Sequence, residues 1–231
     1  MIFGHEDKIK FFKKLVVNNN LKHSYLFYGD EGVGKFLFAK HLANFLEFGE
    51  FKILNKTLLD TEFFGPNEKN SIGIEEARKI KRFLSETPFM SSRRLAVIDR
   101  ADAFTPEAQS SLLKIVEEPP ETALIIFIAS DPQALFPPLL SRLNKIYFTR
   151  LSNKILKDIL IDNFKTESKK AEIIAGQSFG RLGHALELIE SKEEKSKEVD
   201  FEESLKSFIL ELFIKDPIKN SSKLIKLLQK E

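Results

Sequence analysis

A chain of 231 residues, 42% hydrophobic and 30% charged, is long enough to bury a sizeable core as one large domain or two small ones. Its 36 basic and 34 acidic residues leave a net charge of +2, which is no nucleic-acid footprint by itself. The absence of cysteine excludes disulfides, thiolate zinc sites and cysteine nucleophiles, and no apolar run reaches the roughly 18 residues of a membrane span.

The opening residues Met1 to Asp7 lack a basic segment before an apolar run, so the expectation is a cytoplasmic protein without a secretory signal. Lys10, Lys13, Lys14 and Lys22 give this region a basic surface, best read as a solvated helix face. Ser24-Tyr25-Leu26-Phe27-Tyr28 predicts a strand, and from Lys35 the positions Phe38, Leu42, Phe45 and Leu46 recur at helical spacing. A second helix is predicted near Ile74, with Ala77, Ile80 and Leu84 on one face. Arg94 to Asp99 reads as a buried strand that ends in an acid. Thr105-Pro106-Glu107 combines a capping hydroxyl, a first-turn proline and early negative charge, so a helix starts there and stops at Pro119-Pro120. Strands follow at Leu124 to Ala129 and at Ile146 to Phe148. Strands alternating with helices predict an α/β fold: a parallel sheet covered by helices over residues 1–150. Residues 151–190 read as a small helical domain with a turn at Phe179 to Gly183. Residues 191–231 read as a charged linker and a reduced helical segment, with Phe201, Leu205, Phe208, Ile209, Leu212 and Phe213 on one face and a last short helix around Leu224 to Leu228.

Gly29-Asp30-Glu31-Gly32-Val33-Gly34-Lys35 lies between a predicted strand and a predicted helix, the context of a phosphate-binding loop. Gly29, Gly32 and Gly34 let backbone N–H groups turn towards phosphate oxygens, and Lys35 reaches the outer phosphates. The next position demands a hydroxyl to hold Mg²⁺, and here it is Phe36. Asp99 ends a buried strand where such enzymes hold their metal. It is followed by Arg100, which stays protonated and cannot serve as a base. The residues therefore predict a degenerate nucleotide site centred on Gly29, Gly32, Gly34, Lys35 and Asp99. ATP or ADP would bind weakly or structurally there, and none is required. His5, His23, His41 and His184 show no metal-ligand spacing, and no metal site is predicted.

Several further segments, in order over residues 1–190, resemble the AAA+ subunits of bacterial DNA polymerase III clamp loaders. They are Gly4-His5, His23 to Phe27 leading into the P-loop, Ile72-Gly73-Ile74 with Thr87-Pro88-Phe89, and Ser111 to Pro120. Leu139-Leu140-Ser141-Arg142-Leu143 is similar to the family's Ser-Arg-Cys motif, with leucine in place of cysteine. The resemblance implies a P-loop AAA+ domain, a helical lid and a role in loading the sliding clamp onto primed DNA, beside gamma/tau and delta subunits and with no membrane. It implies that Arg142 is an arginine finger acting in trans on a neighbouring ATPase, an effect worth about 10³–10⁵ in rate. On the residues alone, Arg142 caps its helix and pairs with an acid. Gly180 to Leu186 resembles the sensor segment of the motor subunits, with Gly183 where they carry arginine. Departures at Phe36, Arg100 and Gly183 with retention of Arg142 are similar to the non-hydrolysing delta-prime branch, a holoenzyme component without turnover of its own. The alternatives are a gamma/tau-like ATPase and a nucleotide-binding regulator outside replication. Family members usually carry a four-cysteine zinc module before the acidic strand. Residues 48–70 have neither cysteine nor histidine, so no zinc is expected. The collar that the resemblance implies would have only residues 201–231 to form it.

Overall fold

The computed structural model describes residues 2–190. The calls made for 191–231, the charged linker and the two C-terminal helices, lie outside the described residues. Helix α1 (Glu6–Val17) leads into strand β1 (Ser24–Tyr28), helix α2 (Lys35–Phe48), strand β2 (Thr61–Phe64) and helix α3 (Ile74–Leu84). Then come β3 (Arg94–Ile98), α4 (Pro106–Glu117), β4 (Ala123–Ala129), the short α5 (Pro137–Leu140), β5 (Asn144–Tyr147), α6 (Asn153–Phe164) and α7 (Ser168–Gln177). All strand pairs are parallel, in the order β2-β3-β4-β1-β5.

The sheet is central because its three inner strands, β1, β3 and β4, are apolar on both faces, as a helix-covered parallel sheet requires. Successive side chains point to opposite faces. Leu26, Ala96, Ile98, Ile125 and Phe127 pack against Ala77, Ile80 and Leu84 of α3 and Ala108 and Leu112 of α4. Their alternating partners Tyr25, Phe27, Leu95, Val97, Leu124 and Ile126 meet Phe12 of α1 and Phe38 and Leu42 of α2 on the other side. On that face Phe12, Phe27, Phe38 and Phe148 form a cluster of edge-to-face and tilted ring pairs with centroids 5.1–5.7 Å apart. Full burial of each such ring contributes about 2–3 kcal/mol.

Local signals set the element ends. The Thr105 hydroxyl accepts from the Ala108 N–H at 3.3 Å with Pro106 in the first turn, as predicted for α4. The Ser152 hydroxyl caps α6 in the same way through Ile155. The last strand begins two residues earlier than expected, at Asn144, and stops before Phe148. It is the sheet edge, largely exposed, so its apolar signal is confined to the end that approaches the core. Phe148 is fully buried and still donates its N–H to Tyr28 O at 2.8 Å.

Strand β2 lies inside residues 48–70, the stretch without cysteine or histidine, and two carboxylates organise it. The Glu47 carboxylate accepts the N–H groups of Leu59 (2.8 Å) and Asp60 (3.0 Å) and the Thr61 hydroxyl (2.9 Å). Asp60, fully buried, accepts N–H groups from Phe89 (2.5 Å), Met90 (2.6 Å) and Ser91 (2.7 Å) and pairs with Arg94 at 3.2 Å. Burial pushes the Asp60 carboxyl up, but those N–H groups and Arg94 outweigh it and hold the carboxyl below its ordinary value.

Candidate nucleotide site

The loop from Gly29 to Gly34 leaves the C-terminal end of β1 and opens α2, at the carboxyl edge of a parallel sheet where phosphate ligands bind in such folds. Gly29 has φ +137°, and a Cβ there would meet the Phe148 carbonyl oxygen at 2.4 Å, so this turn accepts no side chain. Lys35 is buried, 6% exposed, and donates from Nζ to the carbonyls of Gly29 (2.5 Å) and Asp30 (2.7 Å). An ammonium has three N–H donors, so one remains for a phosphate oxygen. Burial lowers the Lys35 pKa, and the fields of Asp102, Glu31, Asp99 and Asp30 oppose that shift.

Three contacts from elsewhere in the chain hold the loop. His5 is buried with Nε2 2.8 Å from Val33 O; a carbonyl only accepts, so the ring carries its proton at Nε2. Arg150, just beyond β5, donates from Nε and Nη2 to the two carboxylate oxygens of Asp30 at 2.6 and 2.8 Å and holds that carboxyl below its usual value. The Gly183 N–H donates to Gly32 O at 2.8 Å. A Cβ on Gly183 would lie 2.8 Å from the Gly32 Cα, so backbone rests on backbone. A longer side chain at 183 has no room without separating the two segments.

Phe36 turns away from the loop. Its ring meets Phe63 of β2 edge-on at 5.5 Å, and the Lys40 ammonium sits 4.6 Å from its centroid. Asp99 is the first residue after β3, at the strand end where an acid was predicted. Burial raises its pKa, opposed by the Arg100 N–H and by Lys35. Arg100 adopts a left-handed backbone, φ +51°, and directs its guanidinium to Asn70 Oδ1 at 3.4 Å. Asp102 bridges the two strand ends by accepting the N–H groups of Ser130 (3.0 Å) and Asp131 (3.3 Å). Residue 36 offers no oxygen ligand to a magnesium–nucleotide complex.

The predicted residues thus fall at two places. Gly29, Gly32, Gly34, Lys35 and Asp99 gather at the strand C-termini. Arg142 lies at the opposite edge: its carbonyl accepts the hydroxyl of Ser24, the first residue of β1, at 3.2 Å. Five β residues at about 3.3 Å each separate that point from the P-loop by about 16–17 Å. The Arg142 guanidinium pairs with Glu117 at 2.8 Å and donates to Pro138 O at 2.6 Å, the helix-capping, acid-paired arrangement that an isolated arginine adopts. Sequence reasoning missed His5, Arg150 and Asp102 at the loop and Glu117 beside Arg142. Only His5 carried a signal, its place after Gly4; the Asp30–Arg150 pair spans 120 residues and has none.

A family model described as "DNA polymerase III, delta subunit" matches residues 4–152. Among similar proteins, the gamma/tau subunit of DNA polymerase III from Mycoplasma pneumoniae is 26% identical over 219 residues, 85% of this chain and 32% of that protein. The delta' subunit from Bacillus subtilis is 28% identical over 190 residues, 77% of this chain and 57% of the relative. The chain spans about a third of the length of the Mycoplasma gamma/tau relatives it matches. Two solved structures from Thermotoga maritima share the fold. A DNA polymerase III gamma subunit-related protein aligns with TM-score 0.50 and 21% identity, covering 71% of this chain and 57% of that one. The RuvB Holliday junction branch migration motor aligns with TM-score 0.56 and 18% identity, covering 80% and 60%. The fold is that of AAA+ proteins.

Proposed function

Because the chain belongs to the DNA polymerase III delta-subunit family, we propose that it is a delta-prime-like clamp-loader subunit. In this reading it hydrolyses no ATP itself and lends Arg142 to the ATP site of a neighbouring gamma/tau subunit. Its other partners are the delta subunit, the sliding clamp and, through the complex, primed DNA. The observation that carries the reading is the separation of the two functional places. Arg142 stands at the strand-start edge beside Ser24, about 16–17 Å along β1 from the chain's own P-loop, a placement that suits service to another subunit's nucleotide. The P-loop supports the same reading. Phe36 is spent on Phe63 and Lys40, Arg100 faces Asn70, and Gly183 covers Gly32. Nucleotide, where it binds, is held by loop N–H groups and the remaining Lys35 donor, without a metal ligand from residue 36.

The gamma/tau names among the relatives favour a second reading, an ATPase of its own. That reading needs a metal ligand and a base that residues 36 and 100 do not supply.

The test mixes the full chain with gamma/tau and delta subunits, sliding clamp and primed DNA from the same source, and follows ATP hydrolysis. Wild type is expected to stimulate turnover. Arg142→Ala is expected to join the complex yet lose at least about tenfold, given the 10³–10⁵ range of such fingers. Equal stimulation by both proteins would overturn the trans role. Turnover by the chain alone that Lys35→Ala abolishes would establish the motor reading instead.

A further inference from the structure

We infer that Glu117 is a positioning residue that stores the Arg142 guanidinium and must release it before Arg142 can meet a phosphate; this rests on the trans role proposed above. Arg142 follows α5, whereas Glu117 is the last residue of α4, so the pair joins two elements across a surface edge. One terminal nitrogen, Nη2, lies 2.8 Å from Glu117 Oε1, and the other, Nη1, donates to Pro138 O at 2.6 Å and to Ser141 Oγ at 3.4 Å. These terminal N–H groups are the ones a phosphate would engage in a fork. Carboxylate and phosphate therefore compete for the same donors.

Both side chains are about two-fifths exposed, 41% for Arg142 and 43% for Glu117, so the contact is open to exchange. An ion pair this exposed is weak, which suits a rest position. The contrast with Arg94 is instructive. That guanidinium is about one-tenth exposed and is committed to the fully buried Asp60 and to Glu86, a structural assignment with no surface to present. Arg142 has one carboxylate, two-fifths in water, on the nitrogen that would do the work. Neutralising Glu117 removes the competitor and leaves Pro138 O to orient the other nitrogen.

Full-length Glu117→Gln, Arg142→Ala and the double variant would be compared with wild type in stimulating ATP hydrolysis by the neighbouring gamma/tau subunit, with folding checked by circular dichroism melting. Since Glu117 is an exposed helix end, the variant is expected to melt as wild type does. Glu117→Gln is expected to lower the concentration for half-maximal stimulation by about two- to fivefold, the range of an exposed ion pair. The double variant is expected to match Arg142→Ala, because the gain acts only through the guanidinium; a merely structural Glu117 would shift both backgrounds alike. Glu117→Gln that leaves stimulation unchanged or weakens it, while Arg142→Ala abolishes it, overturns the storage role and leaves the trans role standing. Arg142→Ala that stimulates like wild type overturns both.

Discussion

His5 shows how a single side chain can tie a remote segment to the P-loop. It donates to Val33 O, while its Nδ1 is buried without a hydrogen-bond partner among the described residues. Burial lowers its pKa from 6.5, and the Val33 bond only partly opposes this. The unfolded chain therefore takes up a proton near pH 6.5 while the folded chain resists to lower pH. The stability His5 contributes is complete above 6.5 and is lost as pH falls towards the depressed folded value. Urea midpoints of wild type should thus drop between pH 7 and pH 5, and His5→Gln should flatten that drop; parallel curves for the two proteins would refute the linkage. Gly183 supplies a second residue-scale prediction. Gly183→Ala drives a methyl to within 2.8 Å of the Gly32 Cα and should cost about 1–3 kcal/mol of stability in urea unfolding. An unchanged midpoint would mean that the two backbones separate freely.

At the scale of elements, the alternation of strands and helices was legible because a doubly covered parallel sheet writes itself as apolar runs between amphipathic ones. The runs at 24–28, 94–98 and 123–129 are the three inner strands, with both faces buried. Strand β2 left no such trace: only Phe64 of its four residues is buried, and its position is set by Glu47 and Asp60. Carboxylates accepting backbone N–H groups from distant loops have no spacing that a sequence reading can detect. The glycines and lysine of the P-loop were legible because their chemistry is local. The Arg150 clasp, Asp102 and Glu117 were not, since each meets a partner that only the fold brings near. Asp60 also gives the element-scale prediction. Asp60→Ala would orphan three N–H groups and take from Arg94 its buried carboxylate, leaving Glu86 and backbone carbonyls, and should cost about 3–5 kcal/mol, the penalty of breaking a buried pair. Glu86→Ala, which removes the exposed partner of the same arginine, should cost far less.

For the molecule as a whole, the sheet works as a spacer with a phosphate loop at one edge and an arginine at the other. On the reading proposed above, such subunits placed side by side would bring one chain's arginine to the next chain's loop, so that each chain is read by its neighbours rather than by itself. Purified alone, the protein is expected to turn over no measurable ATP, and Lys35→Ala is expected to leave that result unchanged; a Lys35-dependent rate would contradict it.

Placing Gly183 directly on Gly32 also decides how this chain could be engineered. If the chain hydrolyses no ATP, as proposed above, converting it into an ATPase cannot begin at position 183, because an arginine there collides with the loop before any phosphate is present to reward it. Nor can it begin at 36 alone, since a hydroxyl at that position would abandon the Phe63 ring and the Lys40 ammonium while Gly183 still roofs the loop. Each single step loses stability before it gains chemistry. On the non-hydrolysing reading proposed above, a return to catalysis would be limited by the order in which these substitutions were undone.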